Sequence, residues 1–103
     1  MQIRLIIPRA LNTGASFDPM PYVERACAIA GGATYFDGNG AWYDERADRI
    51  YTDPVCIVDC DCSGLKLPEF VALAAELCFD ANQACVYLRA DGVVRLVRRE
   101  YES

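Results

Sequence analysis

The chain has 103 residues, 53% hydrophobic and 24% charged, with a net charge of −5 and no histidine. That composition is globular rather than disordered, and the acidic balance argues against direct nucleic-acid binding. Without histidine the commonest general base, the commonest metal ligand and the usual activator of a serine or cysteine nucleophile are all missing.

In chain order, residues 2–7 place Ile3, Leu5 and Ile7 on one face and read as a first strand closed by Pro8. This opening lacks the long apolar core and small-residue cleavage site of a signal peptide, and no apolar run approaches the ~20 residues that span a bilayer. A cytoplasmic protein without membrane contact is therefore expected. Residues 9–17 break every period and read as a loop. Asp18-Pro19 starts a helix whose stripe is Val23, Ala26, Cys27 and Ala30, and Gly31-Gly32 stops it. Two short strands, 33–36 and 41–44, flank Gly38-Asn39-Gly40, which predicts a tight hairpin. In that hairpin Thr34, Phe36, Ala41 and Tyr43 share one face. Tyr35, Asp37, Trp42 and Asp44 share the other, which its two carboxylates turn toward solvent. Residues 45–48 form a polar connection, and Ile50-Tyr51 extends the sheet.

Residues 54–62 form the next strand, with Cys56, Val58, Cys60 and Cys62 on one face and Ile57, Asp59 and Asp61 on the other. A second helix covers 68–79 with an apolar side of Phe70, Val71, Leu73, Ala74, Leu77 and Cys78. The last hairpin admits two registers. A two-residue turn at Asp91-Gly92 would put Arg95 on the face of Val86 and Leu88. A three-residue loop over 90–92 would put Val94 and Leu96 there and keep every charge off that face, so the longer loop is expected. Arg98, Arg99, Glu100, Tyr101, Glu102 and Ser103 make a charged tail. No repeat or linker divides the chain, so residues 1–103 are read as a single domain.

The cysteines, Cys27, Cys56, Cys60, Cys62, Cys78 and Cys85, sit beside apolar residues and read chiefly as reduced core thiols. Disulfides stay open as an alternative. So does metal binding at Cys60-x-Cys62 with Cys56, although the second ligand pair of a structural zinc site is missing. No cofactor motif stands out: neither Gly31-Gly32 nor Gly38-x-Gly40 has phosphate-loop spacing.

The inferred order, β-α-β-β-β-α-β-β, points to an α+β fold. The expectation is a ferredoxin-like antiparallel sheet with two helices on one face, elaborated by β-hairpins. The segments Gly31-Gly32-Ala33-Thr34, Gly38-Asn39-Gly40-Ala41-Trp42, Gln83 through Leu88 and Asp91-Gly92-Val93-Val94 resemble small α+β proteins of phages and mobile elements. That group is similar in outline to the nitrogen-regulatory PII-like fold. The chain lacks the PII-like nucleotide-binding loop pattern, so the resemblance does not carry effector binding with it.

Function is expected at the surface. Tyr35 and Trp42 read as exposed aromatic anchors, and the middle of the chain is acidic. The leading expectation is a non-enzymatic protein-binding module whose partner surface comprises Tyr35, Asp37, Trp42, Asp44, Glu45, Asp59 and Asp61. A phage-type inhibitor of a bacterial defence or nucleic-acid-handling complex is one concrete version. A small-molecule-binding or enzymatic domain is the first alternative, with a pocket near loop 9–17 served by Arg4, Arg9, Asn12 and Tyr35. A structural homo-oligomer, such as a homodimer, is the second. No catalytic residue and no metal ligand is assigned.

Overall fold

A computed structural model describes residues 1–98; the expected charged tail from Arg99 onward lies outside them. The elements run β1 (Gln2–Pro8), α1 (Met20–Ala30), β2 (Thr34–Asp44), β3 (Arg49–Asp61), α2 (Leu67–Asp80), β4 (Cys85–Ala90) and β5 (Val93–Arg98). The strands form one antiparallel sheet in the order β2-β3-β1-β4-β5. The architecture is α+β, as expected from the sequence.

Alternation on β1 buries Ile3, Leu5 and Ile7. They pair in register with Cys60, Val58 and Cys56 of β3, and Leu5 also pairs with Leu88 of β4. Both helices close over this face. Tyr22, Val23 and Ala26 come from α1; Phe70, Leu73, Ala74, Leu77 and Cys78 come from α2. Helix α1 begins as its sequence suggests: the Asp18 carboxylate accepts from the Met20 N–H at 3.0 Å. Gly31 ends it with φ +88°, a conformation glycine adopts at little cost. The expected stripe is shifted, however. Tyr22 takes a buried place and Cys27 faces solvent. Cys56, Cys60 and Cys78 are buried, while Cys62 and Cys85 are half-buried.

Two hairpins differ from their expected form. Gly38-Asn39-Gly40 is not a turn. It lies inside β2, paired with Val55, Pro54 and Asp53. The reversal comes at residues 45–48, where the Asp44 carboxylate accepts the Arg46 N–H at 3.0 Å and Asp48 takes φ +49°. The glycines serve packing instead. A Cβ on Gly38 would sit 3.0 Å from Ile57 Cδ1, so the missing side chain makes room for the branched residues of β3. One continuous strand replaces two short ones and changes the faces: Thr34, Phe36, Trp42 and Asp44 now lie together, and Tyr35, Asp37, Ala41 and Tyr43 lie opposite.

In the second hairpin Ala90 pairs directly with Val93, so the turn is the two-residue Asp91-Gly92. Both residues have positive φ, +48° and +81°, the geometry that matches the twist of paired strands. Arg95 shares the face of Val86 and Leu88, contrary to expectation. No charge is buried by this, because β5 is the sheet edge and Arg95 stays exposed.

Candidate functional site

The sheet face opposite the helices carries no second layer among the described residues. The same β1 alternation that buries Ile3, Leu5 and Ile7 sends Gln2, Arg4 and Ile6 to this uncovered face. Register then assembles a polar row across four strands: Thr34 opposite Asp59, Asp59 opposite Arg4, and Arg4 opposite Arg89. One step toward the strand ends, Gln2 pairs with Asp61. In the other direction Phe36 pairs with Ile57 and Ile57 with Ile6, giving an apolar row.

The polar row floors a cleft of about 380 Å³ that Gln2, Asp61 and Gly92 also line. At its centre Arg4 and Asp59 form a two-pronged pair, Nε to Oδ1 at 2.7 Å and a terminal guanidinium nitrogen to Oδ2 at 2.8 Å. The Arg4 hydrogen bond holds the Asp59 carboxyl below the usual carboxylate range, against the opposing effect of burial. The same bond pushes the Arg4 guanidinium up. The Arg4 guanidinium carbon also lies 5.9 Å from the Phe36 ring centre. Arg89 donates to the Tyr87 hydroxyl at 2.6 Å. The Asp91 turn closes the end of the cleft: Asp91 accepts from the Gln2 N–H at 2.7 Å and returns its own N–H to the Gln2 carbonyl at 2.8 Å.

Cys60 also borders the cleft, but its thiol is buried in the helix-facing core. Burial, with smaller contributions from Cys62 and Cys27, pushes it up to about 11. At neutral pH it is a thiol rather than a nucleophilic thiolate. Among the described residues, no three Cys, Asp or Glu side chains come together as a metal site. Also among them, no helix is long and apolar enough to cross a membrane.

The seven residues expected to form one partner surface are dispersed. Asp59 and Asp61 face the cleft. Tyr35 and Asp37 lie on the helix side of the sheet edge, where Asp37 is ion-paired with Arg9 at 2.9 Å. Trp42 sits on the uncovered face near the far end of the hairpin, stacked on Tyr51 with ring centres 4.7 Å apart. Asp44 and Glu45 belong to the hairpin reversal. The expected pocket beside loop 9–17 is also displaced. Of its four residues only Arg4 lines the cleft, while Asn12 donates to the Asn82 carbonyl at 3.3 Å. Sequence reasoning missed Thr34, Arg89 and Gly92. The available signal was the parity of Arg4 in a strand that otherwise buries every second residue.

No protein-family model and no curated protein matches the sequence. Solved structures do match. The structure of a phage SAM lyase in complex with S-methyl-5'-thioadenosine superposes with a TM-score of 0.65, covering 97% of this chain and 90% of that one at 17% identity. The apo state of a phage SAM lyase gives 0.58, with 91% and 82% coverage, again at 17% identity. The chain shares its fold with these phage proteins. This corrects the expectation of a non-enzymatic, protein-binding inhibitor: nearly the whole chain has the fold of an enzyme. The alternative of a small-molecule or enzymatic domain is the better supported reading.

Proposed function

We propose that this chain is a small-molecule enzyme of the lyase type, acting on S-adenosylmethionine or a closely related sulfonium nucleoside in the cleft between β2, β3, β1 and β4. The observation that carries this reading is the full-length likeness to a SAM lyase seen with S-methyl-5'-thioadenosine. The polar cleft on the uncovered face supports it with chemistry. The strand order β2-β3-β1-β4, extended by β5, supports a ferredoxin-like reading of the architecture. A cytoplasmic site of action fits a substrate made inside cells.

In such a cleavage the bond between the sulfonium sulfur and Cγ of the aminobutyrate arm breaks. Sulfur keeps the electron pair and becomes a neutral thioether. The four-carbon fragment balances by losing a β-proton or by capture of Cγ by its own carboxylate. The second route needs no histidine, thiolate or metal, which suits this chain's composition. It also destroys two opposite charges, so the apolar row of Phe36, Ile57 and Ile6 beside the polar row would favour it. The Arg4–Asp59 pair is already neutralised and hydrogen-bonded, so it serves as an ordered floor rather than a proton acceptor.

The purified chain is expected to convert S-adenosylmethionine to S-methyl-5'-thioadenosine, read by chromatography, at a rate proportional to protein. No product with stoichiometric protein would overturn the proposal.

Self-association is a second reading, favoured by one specific observation. Beyond Pro54, whose carbonyl accepts the Arg9 N–H at 3.0 Å, β2 and β3 run on as a two-stranded ribbon with no third strand paired to it among the described residues. Such ribbons are marginal in water. This one exposes Trp42 at 53%, Tyr43 at 56% and Ile50 at 66%. We propose a second copy as the occupant: Asp44, Glu45, Asp48 and Asp53 on the ribbon complement Arg95 and Arg98 beside the exposed Val94 and Leu96 of β5. Sedimentation is expected to give a mass above one chain that Arg95→Glu with Arg98→Glu reduces. A single-chain mass at high protein concentration would sink this reading.

A further inference from the structure

The cleft is electrically bipolar, and its two ends differ in what they leave unpaired. Arg4 and Asp59 cancel one another. Arg89, beside Arg4 in the register, has among the described residues only the neutral Tyr87 phenol as a hydrogen-bonding partner. Across the cleft Asp61 has no cationic partner among the described residues. Gly92 leaves the wall next to Arg89 open, since a Cβ there would meet nothing within 4 Å. The protein carries an excess of acid, yet among the described residues no carboxylate is ion-paired with this guanidinium. Tyr87 holds it in place without neutralising it, which preserves its pull on an anion.

We propose that Arg89 and Asp61 form a zwitterion-reading subsite: Arg89 takes the α-carboxylate of an amino-acid arm and Asp61 faces the ligand's cationic centre. The inference rests on the proposed function and deepens it, because it assigns how substrate is told from thioether product. The dimensions suit the task. On sheet spacings the two residues sit two strands apart and two positions offset, so their Cα atoms are about 12 Å apart. Both residues line the same cleft, so a ligand several ångströms long can reach from one to the other. Between them the Arg4–Asp59 pair presents no net charge to compete for either group. S-methyl-5'-thioadenosine has neither the arm nor the positive sulfur, so it would gain nothing from either residue. The subsite therefore adds affinity for substrate alone and lets the neutral nucleoside leave.

Calorimetric titration of the intact chain and of Arg89→Gln and Asp61→Asn tests this with three probes: S-adenosylmethionine, S-methyl-5'-thioadenosine and the nucleoside-free sulfonium amino acid S-methylmethionine. Both sites are exposed, so unchanged melting is expected and serves as the folding control. Arg89→Gln is expected to weaken S-adenosylmethionine by about tenfold to a hundredfold while leaving S-methyl-5'-thioadenosine unchanged. Equal binding of S-adenosylmethionine by wild type and Arg89→Gln would overturn the subsite and leave the lyase reading standing. Arg89-dependent binding of S-methylmethionine while neither S-adenosylmethionine nor S-methyl-5'-thioadenosine binds would support the subsite and sink the lyase reading. Binding of none of the three probes would overturn both.

Discussion

On the proposed lyase reading, Asp59→Asn is expected to lower S-adenosylmethionine cleavage by about a hundredfold, the scale of loss when a bound substrate is misplaced by about 1 Å. The substitution keeps the shape of the side chain but removes the charge that Arg4 grips through two hydrogen bonds. Arg4 would then be a second unneutralised guanidinium beside Arg89. It would compete for the anionic arm and misplace it. Stability should change far less. The two side chains are 39% and 38% exposed, and water screens pairs of that kind down to about 1 kcal/mol or less. A large fall in kcat/KM with a melting shift of a few degrees would separate positioning from unfolding. Matching losses in both would refute the assignment. The pair also has a definite pH signature. The folded Asp59 carboxyl sits below its unfolded value of about 3.9. Its contribution is therefore fully present above that value and lost as pH falls through the lower, folded one. The melting difference between wild type and Asp59→Asn should be constant from about pH 5 to 8 and vanish in stronger acid.

Phe70→Ala should produce the largest stability loss in the chain, about 3–5 kcal/mol. Phe70 is fully buried in the N-terminal part of α2, within the single cluster that joins both helices to β1, β3 and β4. Its removal leaves a cavity whose walls come from several elements, so no one neighbour can collapse into it. Against a total of about 5–15 kcal/mol for a domain, this is a large share. The midpoint of thermal unfolding should fall by at least about 12 °C, read by circular dichroism. A fall under about 4 °C would mean that the helices do not pack on the sheet as described.

These two residues also mark how far the sequence could be read. Phe70 was legible because helical periodicity is local: residues three and four apart meet on one face whatever the rest of the chain does. Asp18, Gly31 and the β1 alternation were legible for the same reason. Gly38-Asn39-Gly40 was misread because glycine has two uses, turning a chain or making room, and only Ile57 and Val55 on the partner strand decide between them. The Asp91-Gly92 register was misread because Arg95 looked unaffordable on a buried face. Its position on the edge strand, unknown from the sequence, is what leaves it in water.

The amino-acid order alone determined the α+β character, the two helices with their apolar sides, and the absence of histidine-based chemistry, since each depends on composition or on neighbours a few residues apart. The cleft was a tertiary decision. Arg4, Asp59, Arg89 and Thr34 lie far apart along the chain and converge only because β1 takes the centre of the sheet between β3 and β4. That placement comes from long-range strand pairing and from the helices choosing one face, and side-chain alternation then delivers the remaining charges to the other.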